Sequence, residues 1–159
     1  MNITIDKNEI LQRVKTHSYY SGEANKIGDY DSKTIAAMSQ ASDDDDYILS
    51  SYMDIAASVV SDTIYQALDK TQPLTGIGDS EQSYVFTLLQ PATFPEMLIP
   101  SVAESVKAYI TSYTLYRWLK DVNPKMADPT EFESYLSDIN HGVNQRTKPV
   151  RRPVMPMNF

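Results

Sequence analysis

The stretch ASDDDDYILSSYMDIAASVV, residues 41–60, places four consecutive aspartates directly before a long apolar-periodic segment. Apolar residues continue at i, i+3 and i+4 spacing as far as Ile64, which is the pattern of an amphipathic helix. The face that this spacing predicts to be buried consists of Ile48, Leu49, Tyr52, Ile55, Ala56, Val59, Val60 and Ile64. We predict that the helix ends near Lys70, because a proline and two glycines follow within residues 73–78.

The acidic residues at the start of this segment, Asp43, Asp44, Asp45 and Asp46, admit three interpretations. A calcium loop of the EF-hand type would need a glycine at its sixth position and a closing glutamate, and the stretch has neither. In the first turn of a helix, each acid interacts favourably with the positive end of the helix dipole, by about 0.3–1 kcal/mol. We therefore predict a helix start capped by Ser42 or Asp43, rank a partner-binding acidic surface second, and rank a metal site last.

Three further helices are predicted around this one. The first covers about residues 7–21 and is capped by Asp6. The second covers about residues 101–122 and is stopped by an Asn-Pro pair. The third starts from a cap at Asp128 and ends at Gly142. The segment 34–40 is expected to add one or two helical turns.

The only β-structure predicted is a strand at residues 83–91, with a weak antiparallel partner at 74–77. The expected fold class is thus mainly α, a small helical bundle of about four helices with a short β-hairpin or strand insertion. A helical domain would occupy residues 1–142, and an extended, basic, proline-rich C-terminal arm would occupy residues 143–159.

Charge divides the chain in the same way. The whole chain carries −7 and residues 142–159 carry +4, so the remainder carries −11. An acidic body repels nucleic-acid backbones, which argues against a DNA-binding domain. The arm combines bases with apolar residues and an aromatic end, which is typical of an extended segment that binds a partner, and its simpler alternative is a solubilising tail. The arm residues predicted to bind a partner are Arg146, Lys148, Arg151, Arg152 and Phe159.

The sequence offers few candidates for catalytic or metal-binding residues. Cysteine is absent, His17 and His141 lie on different predicted helices without ligand spacing, and no Gly-x-Ser-x-Gly motif occurs. We therefore predict no catalytic residues, no cofactor and no metal, and do not expect an enzyme. No segment has the roughly 20 apolar residues of a membrane helix, and the N-terminus lacks the features of a signal peptide, so no membrane partner is expected.

An aromatic stripe marks the predicted helix at residues 101–122. Tyr109, Tyr113 and Tyr116 follow helical spacing, and Trp118 lies nearby. Such a stripe could stack against nucleic-acid bases, but helical spacing favours packing in the core or at a subunit interface.

Residues 43–122, about half the chain, resemble the head-to-tail connector (adaptor) proteins of tailed bacteriophages. In that family an acidic helix start is followed by a β-hairpin and by a proline-led helix with an aromatic and basic end. The matching residues of the first helix are Asp46, Leu49, Tyr52, Ile55 and Ala56. Those of the second helix are Pro100, Val102, Ala108, Tyr113, Leu115, Tyr116 and Arg117.

This resemblance implies a structural virion protein of the phage neck, assembled in the host cytoplasm. The subunit would form a ring, expected to be a dodecamer, that docks under the portal and meets tail or neck proteins. Packaged DNA would pass non-specifically through the lumen, both on packaging and on ejection. Two alternatives stay open: a small helical regulatory module whose basic tail contacts nucleic acid, and a tail-completion protein.

Overall fold

The computed structural model describes residues 1–24, 37, 39–78, 81–89 and 94–145, with the backbone alone at 22–24. Within these residues there are four helices of at least 15 residues and one small antiparallel sheet, so the predicted mainly α fold class is confirmed. The helices are α1 (Lys7–Ala24), α2 (Asp46–Thr63), α3 (Ile99–Val122) and α4 (Thr130–Asn144). The strands are β1 (Asn2–Asp6), β2 (Leu74–Thr75) and β3 (Ser83–Thr87).

The sheet has the order β1-β3-β2, with both pairs antiparallel. The predicted hairpin is confirmed in a shorter form, with Thr75 opposite Val85. Strand β1 was not predicted: its alternating Ile3 and Ile5 are buried against the helices, and its register places Ile5 opposite Tyr84. A strand of five residues gives too short an alternation to stand out in the sequence.

Helix α3 is the centre of the bundle and packs against α1, α2 and α4. Its buried residues include Val102, Val106, Tyr109, Ile110 and Trp118. The inward face of α2 meets it with Leu49, Met53, Ala56, Ala57 and Val60. Together with Ile3, Ile5, Tyr84 and Phe86 of the sheet, these residues form one continuous core.

Two predictions about α2 were wrong. The helix ends at Thr63 rather than near Lys70, because Leu68 forms a β-bridge with Leu88 and the chain must leave the helix to reach the sheet. Ile48 and Ile55, predicted to be buried, are 44% and 42% exposed. Helix α2 has apolar residues on two sides, and α3 covers the side that carries Leu49 instead.

The prediction that Gly142 ends the last helix was also wrong. Helix α4 starts as predicted, since Asp128 Oδ1 accepts a hydrogen bond of 2.9 Å from the Thr130 amide. It continues through Gly142 to Asn144, and Val143 is buried. The predicted boundary between domain and arm, after residue 142, therefore falls inside a helix.

The predicted start of α1 is confirmed. Asp6 Oδ1 accepts hydrogen bonds from the amides of Asn8, at 2.7 Å, and Glu9, at 3.4 Å. The helix runs slightly further than predicted, to Ala24. The helical turns expected at 34–40 fall largely outside the described residues.

Candidate interaction surfaces

The four aspartates form the start of a helix, as predicted. A single 3-10 turn, Asp43–Asp45, leads directly into α2. The Ser42 amide and hydroxyl each donate a hydrogen bond of 2.8 Å to Asp45 Oδ2, which closes the turn. The remaining acids thus lie at the positive end of the helix dipole.

Lys15 of α1 binds two of these aspartates. Its Nζ lies 2.7 Å from Asp43 Oδ1 and 2.7 Å from Asp46 Oδ1. The hydrogen bond from Lys15 holds the pKa of Asp43 below its usual value. Asp43 and Asp46 are therefore paired within the subunit and Asp45 closes the turn, which leaves Asp44 as the aspartate available to an external partner.

The tyrosines of the aromatic stripe pack around Phe132 of α4. The ring centroids of Tyr109, Tyr113 and Tyr116 lie 5.9, 5.5 and 5.4 Å from that of Phe132. Tyr109 is buried, whereas Tyr113 and Tyr116 are half-buried. Burial, with a smaller contribution from Tyr113, raises the pKa of Tyr109 to about 12. The stripe thus joins α3 to α4 within one subunit.

Trp118 also faces inward. Its indole Nε1 donates a hydrogen bond of 2.9 Å to the carbonyl oxygen of Ser39. Two residues further on, the Ala41 amide donates a hydrogen bond of 3.0 Å to Ser18 Oγ of α1. These two bonds fix the segment that leads into α2 against both α3 and α1.

A partly buried polar cluster centred on Asp54 was not identified from the sequence. Asp54 Oδ1 accepts a 2.6 Å hydrogen bond from the Tyr84 hydroxyl, and Oδ2 accepts one of 3.1 Å from the Gly78 amide. Lys7 Nζ lies 3.7 Å from Asp54 Oδ1, donates to the Gly78 carbonyl at 2.7 Å, and stands 4.6 Å from the Tyr84 ring centroid. Burial, reinforced by the hydrogen bond to Asp54, raises the pKa of Tyr84.

The Asp54 cluster connects four parts of the fold: the start of α1, the middle of α2, the loop after β2, and β3. Its donors and acceptors are matched to one another, which is typical of a cluster that stabilises the fold by holding these parts together. No sequence spacing reveals it, since Tyr84 lies 30 residues from Asp54 along the chain.

The outward side of α2 leaves apolar area in solvent. Ile48 and Ile55 lie one above the other at a spacing of seven residues, and we call this pair the outer stripe of α2. Beside it, the Tyr52 hydroxyl donates to Asp121 of α3, and the Arg117 guanidinium lies 5.1 Å from the Tyr52 ring centroid. The hydrogen bond to Asp121 raises the pKa of Tyr52. The outer stripe is therefore bordered by charged groups, as at the rim of many protein interfaces.

The predicted arm residues Arg146, Lys148, Arg151, Arg152 and Phe159 lie outside the described residues. The described chain ends at Gln145, directly after α4.

Both histidines, His17 and His141, are exposed. Within the ranges that the structure describes, no group of three or more His, Asp or Glu side chains could hold a metal ion. The helices of those ranges include none with the length and apolar character needed to span a bilayer. Comparisons of the chain with protein-family models, curated proteins and solved structures find no match.

Proposed function

We propose that this chain is a ring-forming head-to-tail connector subunit of a tailed bacteriophage. It would dock beneath the portal, meet tail or neck proteins on its other side, and surround the DNA passage. The ring is expected to be a dodecamer, and the protein to act structurally rather than as an enzyme.

The observation that carries the proposal is the order of elements over residues 43–122. An acidic turn opens α2, the antiparallel pair β2–β3 follows, and α3 begins with Pro100 as its second residue. This is the order on which the resemblance to connector proteins rests. The support comes from the arrangement of several elements, since each of them alone is common.

The residues that carry the resemblance divide into two groups. Leu49, Ala56 and Val102 are buried in the core, which accounts for their apolar character within one subunit. Ile55 is exposed, and Tyr52 beside it is half-buried. A ring subunit needs exposed apolar surface of this kind, because its assembly with neighbouring subunits is stabilised by burying apolar area.

The charge of the chain is compatible with a channel wall. A body that carries −11 does not bind the phosphate backbone tightly, so DNA could slide past it. The basic arm would bind a neighbouring subunit or the portal.

The proposal is tested by imaging and mass measurement of the full chain, alone and mixed with a portal protein encoded in the same genome. Rings, formed alone or on the portal, are the expected result. A protein that neither self-associates nor binds the portal would refute the proposal.

A chain ending at residue 145 tests the arm, and it is compared with a full-length variant in which the four basic residues of 146–152 become glutamine. If charge drives docking, both variants should lose assembly. Salt-sensitive DNA or RNA binding that disappears with Arg151 and Arg152, in a protein that forms no rings, would instead support the regulatory module.

A further inference from the structure

Strand β1 has one paired edge and one outer edge. Met1 and Leu88 exchange both backbone hydrogen bonds, at 3.1 and 2.7 Å, and the Lys7 amide donates to the Gln82 carbonyl at 3.0 Å. Backbone groups of an antiparallel strand alternate in direction, so the odd-numbered residues bond to β3. Asn2 and Thr4 therefore direct both their N–H and C=O groups away from β3. Asp6 directs its N–H the same way, while its C=O, at the cap of α1, accepts the first hydrogen bond of that helix.

No other described strand pairs with this outer edge, since β1 is the first strand in the order β1-β3-β2. Asn2, Thr4 and Asp6 are all exposed. An edge strand of this kind is a template to which another extended segment can add through backbone hydrogen bonds.

The arm contains a segment whose prolines suit such pairing. In PVRRPV, residues 149–154, the prolines occupy 149 and 153, two positions of the same parity. In an extended conformation both would face away from a partner strand, where their missing N–H groups cost no hydrogen bond. Val150, Arg152 and Val154 would then direct their backbone groups toward the partner. Pro156 has the opposite parity and would end the pairing.

We propose that residues 150–154 of a second copy of this chain add as a strand to the outer edge of β1. The two segments match in length at five residues each. Their centres, Thr4 and Arg152, would lie opposite each other, with the Asp6 carboxylate diagonal to Arg152.

Charge favours a second copy as the source of this strand. Two bodies that each carry −11 repel each other, and the arm, at +4, is the part of the chain that attracts a neighbouring body. The inference rests on the proposed ring, in which each subunit would bind its neighbour through the arm.

The absence of cysteine from the chain permits a direct test. The variants Thr4→Cys and Arg152→Cys are purified separately, mixed at full length, and oxidised. A disulfide between the two variants, identified by its intact mass, can form only between copies. Arg151→Cys is the matched control, because it loses the same charge but projects from the opposite face of the strand.

Two proline substitutions, compared with each other, test the proposed backbone hydrogen bonds directly. Arg152→Pro removes an N–H that faces β1, whereas Arg151→Pro removes one that faces away, with equal loss of charge. We expect Arg152→Pro to weaken association about fivefold or more relative to Arg151→Pro, as for the loss of one hydrogen bond.

The two proposals fail in different ways. Rings without the mixed disulfide, or equal effects of the two prolines, would overturn the strand addition and leave the connector function intact. A mixed disulfide in a protein that forms only dimers and ignores the portal would support the strand addition and overturn the connector. A disulfide that forms equally well with Arg151→Cys would count against the proposed pairing.

Discussion

Gly142 of α4 lies so close to Val102 of α3 that a β-carbon at position 142 would stand 2.6 Å from Val102 Cγ2. In an exposed helix, Gly→Ala stabilises by about 1 kcal/mol. Here we expect Gly142→Ala to destabilise by about 1 kcal/mol, because overpacking costs about 1–3 kcal/mol and a β-branched side chain in a helix has little rotamer freedom. Urea denaturation measures the difference.

The control for this prediction is the same substitution in a Val102→Ala background. With the methyl groups removed, Gly142→Ala should become neutral or stabilising, giving a coupling energy of about 1 kcal/mol or more. Equal effects in both backgrounds would show that the two helices do not meet as described.

The Asp54 cluster predicts that Asp54→Ala causes a large loss of folding stability. The substitution leaves the Lys7 ammonium, the Tyr84 hydroxyl and the Gly78 amide without their carboxylate partner. We expect the free energy of unfolding to fall by about 3 kcal/mol, and by about 1–2 kcal/mol for Tyr84→Phe, which removes one hydrogen bond. Chemical denaturation followed by Trp118 fluorescence provides the measurement.

Asp62→Ala is the matched control, because Asp62 is an exposed aspartate on the same helix. Its effect should stay within about 0.5 kcal/mol. Similar losses for Asp54→Ala and Asp62→Ala would contradict the role of the cluster as a tie between α1, α2 and the sheet.

Stability should fall in alkaline solution partly because of Tyr109. Tyrosine in the unfolded chain ionises near pH 10, whereas burial raises the pKa of Tyr109 to about 12. Between these values the folded state holds a proton that the unfolded state has lost. Stability therefore decreases with rising pH, by up to about 1.4 kcal/mol per pH unit.

Tyr109→Phe should reduce this slope between about pH 10 and 12, when denaturation midpoints are compared across the range. Tyr84, whose pKa is raised in the same direction, should contribute similarly and is tested by Tyr84→Phe. The exposed Tyr65→Phe serves as control. A slope unchanged by Tyr109→Phe would refute the prediction.

The outer stripe of α2 predicts that a substitution there affects assembly more than it affects the folding of the subunit. Ile55→Ser should lower the stability of the isolated subunit by only about 1 kcal/mol, because Ile55 is 42% exposed and only its buried part loses apolar contact. If the stripe is buried between subunits, the same change should weaken ring formation about fivefold or more. Mass photometry over a dilution series measures the association.

Ile77→Ser is the matched control, an identical substitution at a residue 48% exposed in the loop that follows β2. It should leave association unchanged. If both variants assemble like the unmodified chain, the outer stripe is not the subunit contact.

Local signals in the sequence predict the helices well. The caps at Asp6 and Asp128 and the acidic turn before α2 act through neighbouring backbone amides, so they operate within a few residues. Which face of α2 is buried could not be predicted in the same way. Ile48 and Leu49 are adjacent and equally apolar, and only the position of α3 decides which of them is buried.

The features missed by sequence reasoning all depend on distant partners. Gly142 resembles a helix terminator until Val102 is seen against it. Strand β1 forms only by pairing with β3. The Asp54 cluster forms only because the fold brings Lys7 and Tyr84 into contact with Asp54. Among the predicted site residues, the aromatic stripe proved to have a partner within the subunit, Phe132, that the sequence did not indicate.

The pairing of β1 with β3 imposes an order of events during synthesis. Met1 bonds to a residue 87 positions later, so at about 5–20 residues per second the first strand waits about 4–17 s for its partner. Helix α1 can form during this delay, but Ile3 and Ile5 have no sheet to join. The nascent chain therefore keeps Ile3 and Ile5 without the sheet that buries them until the hairpin emerges, and any chaperone bound to this segment should be released once β3 has been synthesised.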